Sequence, residues 1–217
     1  MAEIDTQRQP SSGRRVPWVA IAIAALLGLG IGSLAWYLTP AGERAVAGDA
    51  TIGGPFDLVA PDGRRVTDAD FADRIMVVYF GYTYCPDICP LGLQTITAAI
   101  DQLEPNERAA VVPVFISIDP ARDTPEAMGE YAGLFGDDLV ALTGTQAEID
   151  EVARAYRVYH AKVPAESGDG DAYLMDHSAF MYVMGPDGEY LSHFGPKATA
   201  DEVAAGLREA LNGEGLA

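Results

Sequence analysis

Apolar and polar positions change pattern sharply along the chain. Residues 16–38, VPWVAIAIAALLGLGIGSLAWYL, form a run of 23 without a charge, long enough to span a bilayer as one helix. Arg8, Arg14 and Arg15 precede it, so the excess of positive charge keeps residues 1–15 cytoplasmic and exports the chain beyond residue 38, an N-in anchor. Trp18, Trp36 and Tyr37 stand near its ends, as interfacial aromatics do. The alternative is a cleavable signal peptide, because Ala45-Val46-Ala47 has the small-x-small form that signal peptidase accepts. Such peptides have an apolar core of only about 7–15 residues, shorter than this run. The expected layout is therefore a cytoplasmic N-terminus (1–15), a transmembrane anchor (16–38), a polar linker (39–51) and an exported domain (52–217).

Within the exported part the pattern shortens and alternates. Residues 55–59 and 64–67 flank Ala-Pro-Asp-Gly, a turn signal that predicts an opening hairpin. Residues 75–80, IMVVYF, and 111–118, VVPVFISI, are continuous apolar runs and read as buried central strands. Between them, apolar residues at 91, 96, 99, 100 and 103 recur at helical spacing. Thr124-Pro125 opens a second helix with a cap followed by proline at the first turn. A short strand over 139–143, a helix over 145–154 capped by Thr145, and a strand over 157–162 come next. Residues 163–172 are acidic and glycine-containing and read as a loop. Strands over 179–184 and 189–194 flank Gly-Pro-Asp-Gly, and an amphipathic helix over 200–211 closes the chain. Alternating strands and helices predict an α/β sheet covered on both faces, and hairpins at its two ends make the sheet mixed.

Charge narrows the partners. The whole chain carries a formal net charge of −18, with 14 Lys+Arg against 32 Asp+Glu; the first 40 residues hold 3 and 2 of these, the remainder 11 and 30. Nucleic acid is excluded as a partner for so acidic a domain. There are only two cysteines, too few for a disulfide framework and better read as a site.

Both cysteines lie in GYTYCPDICP, residues 81–90, directly after the first central strand, where open α/β sheets gather functional residues. Cys85 and Cys89 are four apart, so a helix starting near Pro86 turns them to one side. A helix N-terminus also favours thiolate over thiol, which serves both disulfide exchange and metal binding. A static disulfide here would close a very small loop and contribute little. Of the three histidines, His160 and His193 lie in strand-like runs, whereas His177 follows Asp176, which could orient its ring. Two thiolates and one imidazole suit three-coordinate Cu(I), and Cu(II) if an oxygen joins; structural zinc would want a fourth closed ligand.

GYTYCPDICP, VFISIDPARDTPE, LTGT, VARAYRVY and DHSAFMYVMGPDGEYLSHFG occur in this order, and together they resemble the Sco copper chaperones from about residue 50 to the last helix. A CPxxCP element followed at a distance by Asp-His-Ser/Thr is far more specific than two spaced cysteines alone. The resemblance implies a thioredoxin-like domain, anchored in the inner (cytoplasmic) membrane and facing the periplasm. It would help build the dinuclear copper centre of cytochrome c oxidase subunit II, with other copper chaperones or thiol reductants as further partners. It implies a carrier rather than an enzyme. The copper ligands carried over are Cys85, Cys89 and His177, the cysteines also forming a redox-active disulfide. Asp119, in SIDP, carries over as a supporting residue, near the metal or in the redox step. One departure is Tyr84, where the family commonly has His.

Two rivals use the same kind of scaffold. A thiol-disulfide oxidoreductase acting on exported protein thiols would need the same two cysteines, but thioredoxins carry a proline where Asp176-His177-Ser178 stands here, and a histidine there favours metal. A peroxiredoxin wants PxxxTxxC, whereas Tyr82 lies three before Cys85 and Thr83 only two.

Overall fold

The computed structural model describes residues 52–164 and 173–213. The expected anchor (16–38), the linker up to residue 51 and most of the acidic loop, 165–172, lie outside the described residues. Among the described residues no helix is long and apolar enough to cross a membrane.

The core is built on two strands whose every residue is buried, β3 (Ile75–Gly81) and β4 (Val111–Ser117), paired in parallel from Ile75–Val111 to Gly81–Ser117. Continuous burial on both faces explains why these strands carry unbroken apolar runs. β5 (Val140–Leu142) extends the sheet in parallel beyond β4; on the other side β8 (Met181–Met184) and β9 (Tyr190–Phe194) pair antiparallel, giving the order β5-β4-β3-β8-β9. Successive residues of β3 face opposite layers. Tyr79 stacks on Phe115 and meets α1 (Ile88–Asp101) at Gly92, where an added Cβ would lie 2.7 Å from the tyrosine ring. Phe80, on the opposite face, packs on Tyr156, the C-cap of α4 (Gln146–Ala155), and on Tyr182. A short α2 (Pro105–Ala109) leads into β4, and α5 (Ala200–Leu211) lies against α1. This is a thioredoxin-like α/β fold, a mixed sheet flanked by helices.

The helix starts match their sequence signals. Thr124 accepts from the Ala127 N–H ahead of α3 (Pro125–Ala132), with Pro125 in the first turn. Thr145 with Glu148, and Thr199 with Glu202, form capping boxes at α4 and α5.

Two expectations change. The opening hairpin exists as β1 (Asp57–Val59) and β2 (Arg65–Thr67), but it forms its own two-stranded sheet. Each strand has three residues with one buried, Leu58 or Val66, and only the Val59–Thr143 bridge continues toward β5. The mixed character of the central sheet therefore comes from β8 and β9 alone. The stretch before His177 is also more ordered than its composition suggests: β6 (His160–Pro164) and β7 (Tyr173–His177) pair as an antiparallel ribbon in which His160 stands opposite His177.

Candidate metal centre

β3 delivers the chain to the cysteines at Gly81. An added Cβ there would lie 2.7 Å from Cys89 Sγ and 3.0 Å from the Phe115 ring, so the absence of a side chain at Gly81 makes room for the second sulfur. α1 begins at Ile88, later than the spacing argument assumed, and its N-cap Asp87 makes no side-chain capping bond. Cys85 lies before the helix and takes the cap's role: its Sγ accepts the Cys89 backbone N–H at 3.4 Å, one of the orphan donors of a helix start. The two sulfurs converge because Cys85 caps the turn that contains Cys89, not because both sit on one helical face. Tyr79 fixes the same turn by donating from its hydroxyl to the Ile88 carbonyl at 3.2 Å.

His177 arrives from the ribbon. Its Nε2 lies 3.3 Å from Cys89 Sγ, and Nδ1 lies 3.0 Å from the Ser178 carbonyl oxygen. A carbonyl only accepts, so the proton belongs on Nδ1 and Nε2 is left with a free lone pair on the sulfur side. Sγ of Cys85, Sγ of Cys89 and a ring nitrogen of His177 all lie within 4.8 Å of one another. Cys89 is fully buried and Cys85 is 8% exposed, and both are free thiols.

The sulfurs divide their proton unequally. The Cys85 thiol is lowered from its ordinary value of 9 to about 4, first because the Cys89 thiol donates to it; burial opposes this, and the His177 side chain and then the backbone N–H groups of Asp87 and Cys89 assist. The Cys89 thiol is pushed up, first by holding that donated proton and then by burial. Cys85 is the more accessible, nucleophilic thiolate and Cys89 its buried partner.

The other expected residues fall differently. Asp176 does not orient His177. In β7 consecutive side chains point to opposite faces, so Asp176 is exposed while His177 is half-buried, and the Ser178 carbonyl takes the place expected of the carboxylate. Asp119 is 1% exposed but is not part of the three-residue group. Its carboxylate accepts from Arg122 Nε at 2.5 Å and from the Tyr173 hydroxyl at 2.8 Å. His160 faces Asp150 at 3.5 Å, and His193 packs among Phe180, Tyr182 and Tyr190; neither joins the group.

Sequence reasoning passed over Asp123. It is fully buried, accepts the Ser117 hydroxyl at 2.6 Å, and holds Thr83 through its hydroxyl at 2.6 Å and its N–H at 3.3 Å. Burial pushes its carboxyl up, against those donors. This carboxylate ties the cysteine loop to the start of α3. A Ser closing an apolar strand and an Asp just before Thr-Pro were the available signals. Tyr82 was also missed: it is 2% exposed, meets the His177 ring edge-on at 6.0 Å between centroids, and hydrogen-bonds the Met175 backbone.

A thioredoxin-like domain with two sulfurs and an imidazole converging at the end of its central strand defines a soft-metal-binding class. The SCO1/SenC family model matches residues 44–212. The human mitochondrial SCO1 homolog is 38% identical over 211 residues, covering 92% of this chain and 68% of that protein. The Arabidopsis thaliana mitochondrial SCO1 homolog 1 is 45% identical over 165 residues, covering 76% of this chain and 48% of the relative. The crystal structure of Arabidopsis thaliana ScoI with copper bound superposes with a TM-score of 0.70 at 43% identity, covering 75% of this chain and 99% of that one. The chain belongs to the SCO1/SenC family. It spans about two thirds of the human relative's length and about half of the Arabidopsis one.

Proposed function

We propose that this protein is a membrane-anchored copper carrier: Cys85, Cys89 and His177 hold one copper ion as cargo for the dinuclear centre of cytochrome c oxidase subunit II. The carrying observation is the convergence of these three donors within 4.8 Å, with His177 Nε2 free to ligate. Two sulfurs and one nitrogen are a soft set that prefers Cu(I); Cu(II) is held by the same donors with an added oxygen ligand. The donors are only three, with half-buried His177 the most accessible, which suits a cargo that must leave more than a closed structural metal. Copper bound to Arabidopsis ScoI, a relative covered along 99% of its resolved chain, supports the metal's identity.

The anchor at 16–38, N-in, holds the domain (52–217) through the linker (39–51) at the periplasmic face of the inner membrane, where it meets a membrane-bound client without diffusing away. A second reading, reduction of the client's cysteines, is favoured by the Cys85 thiolate; it is compatible with carriage, since two thiols receive copper only when reduced.

The test is genetic. In cells lacking this chain, oxidase activity falls in copper-poor medium and recovers on adding copper. A double Cys85→Ala, Cys89→Ala variant reproduces the deletion. Full oxidase assembly by that variant in copper-poor medium would sink the carrier reading. Rescue of the deletion by a thiol reductant but not by copper would put reduction in its place.

A further inference from the structure

The three donors do not share a support. Cys85 and Cys89 belong to the β3–α1 junction, while His177 ends β7 in a ribbon of two strands, an element that is not stable by itself. Tyr173, Met175 and His177 lie on one face of β7. Met175 is the only buried residue of the described ribbon, and Leu174 and Asp176 on the other face are exposed. Apolar burial therefore holds this ribbon only weakly, and what joins it to the body is polar.

Tyr82 reaches the Met175 backbone and the His177 ring, and His160 reaches Asp150; the contacts at Tyr173 centre on Arg122. Its Nη1 donates to the Tyr173 carbonyl at 3.0 Å, and its guanidinium carbon stands 3.7 Å from the centre of the Tyr173 ring. Nε is fixed by Asp119, whose carboxylate also receives the Tyr173 hydroxyl. The same guanidinium lies 4.7 Å from the ring of Tyr84, the residue next to Cys85, and 5.7 Å from that of Tyr82, which meets His177 edge-on. From Asp119 the chain of bonds continues: its N–H donates to Ser117 Oγ at 3.0 Å, Ser117 donates to Asp123, and Asp123 holds Thr83 in the cysteine loop. One cation thus touches both the strand that ends in His177 and the loop that carries Cys85.

We propose that Arg122 is a positioning residue for His177, clamping the β6–β7 ribbon to the cysteine loop so that the imidazole stands at the sulfurs. It contacts no metal itself. A planar guanidinium can bond Asp119 and the Tyr173 carbonyl while stacking on aromatic rings; an ammonium cannot do all three at once. The inference rests on the copper reading only for its metal readout, since the placing of His177 is a property of the metal-free fold.

The experiment compares Arg122→Ala and Arg122→Lys with the parent exported domain. In the metal-free protein, amide hydrogen exchange at Met175 and His177 quickens and the nuclear Overhauser contact between the Tyr82 and His177 rings weakens, while the amides of β3 and β4 keep their protection. With Cu(I), X-ray absorption retains two sulfur neighbours and loses the imidazole nitrogen, and affinity in chelator competition falls about 10- to 100-fold, the usual range for removing an outer-shell partner. His177→Ala combined with Arg122→Ala loses no more affinity than His177→Ala alone, because the two changes act through one donor. An unchanged ring contact in Arg122→Ala, or a lowered melting temperature with the imidazole still bound, overturns the proposal. Should Arg122→Ala not fold, Arg122→Lys and Tyr173→Phe carry the same readouts. A parent domain that binds no copper refutes the carrier reading, whereas the metal-free arm still decides the clamp.

Discussion

β3 and β4 are buried at every residue, whereas in β6 and β7 only Met175 is. The first region brings two sulfurs to the site, the second a single nitrogen. Cys89 is packed against Gly81 so closely that no Cβ fits between them, and the Tyr79 hydroxyl and the Cys85 cap fix the rest of the turn. His177 meets buried Tyr82 edge-on, and its strand is held at Tyr173 by buried Asp119 and half-buried Arg122. Local stability follows burial and contact density, so the cysteine pair is the fixed part of the site and the imidazole the adjustable part. For the proposed carrier this division would have a use: the sulfurs would retain the ion, and withdrawal of the one nitrogen would lower its coordination before transfer.

The strongest way to break that contrast is to remove the fixed part. Cys85→Ala or Cys89→Ala leaves one sulfur and one nitrogen, and copper binding is abolished; metal analysis after dialysis against a chelator reads it directly. Retention of one copper per chain by either variant would contradict the assignment of sulfur as the holding donor. The adjustable part is probed by His177→Ala. Two thiolates alone hold Cu(I) in linear geometry, while Cu(II) prefers more ligands, so Cu(II) affinity falls much further than Cu(I) affinity in parallel titrations. Equal losses would show that the histidine belongs to the fixed part.

The sequence disclosed these two regions unequally, for a physical reason. Buried central strands must be apolar on both faces, so β3 and β4 stood out as unbroken runs, and helix starts announced themselves through Thr124-Pro125 and Thr145. β7 did not, because a ribbon with one buried residue has no such pattern and its pairing partner is separated from it by the acidic stretch 165–172. Asp176 looked like a partner for His177 because the two are adjacent in sequence; in an extended strand adjacency means opposite faces. Asp123 stayed hidden because its partner Thr83 lies 40 residues away, and nothing local links them. The cysteine pair and His177 were legible through residue chemistry and the order of motifs, while the polar support that joins them was not.

Proton sharing sharpens the contrast within the cysteine pair itself. The folded pKa of Cys85 is depressed to about 4 from an ordinary 9. A depressed acid contributes stability in full above its unfolded value, and that contribution is lost as pH falls toward the folded one. The raised Cys89 acts oppositely above pH 9, so the pair favours the reduced fold most near pH 9 and progressively less down to about pH 4. Ultraviolet absorbance of thiolate should show one thiolate per reduced chain at neutral pH, disappearing with a midpoint near 4 and absent in Cys85→Ala. A single transition near the ordinary thiol value would mean that the two sulfurs do not share a proton in this way.

The smallest effect is expected at the exposed residue beside the first cysteine. Tyr84 adjoins Cys85 yet is 61% exposed, and its ring lies over Arg122 at 4.7 Å. An exposed cation–π contact is worth about 0.5–1 kcal/mol, and a neutral imidazole in its place keeps a flat ring over the guanidinium. Tyr84→His therefore lowers stability in urea by less than about 1 kcal/mol and leaves Cu(I) affinity unchanged, because Cu(I) is already held by the buried sulfur pair. The informative measurement is the Cu(II) electron paramagnetic resonance spectrum, where a new imidazole would add nitrogen hyperfine coupling if it reached the ion. Coupling from one nitrogen, the result expected of the parent, leaves His177 as the sole adjustable donor. Coupling from two would show that the loop carrying the cysteines also supplies an imidazole, and the contrast between a fixed sulfur region and a separate nitrogen region would no longer hold for Cu(II).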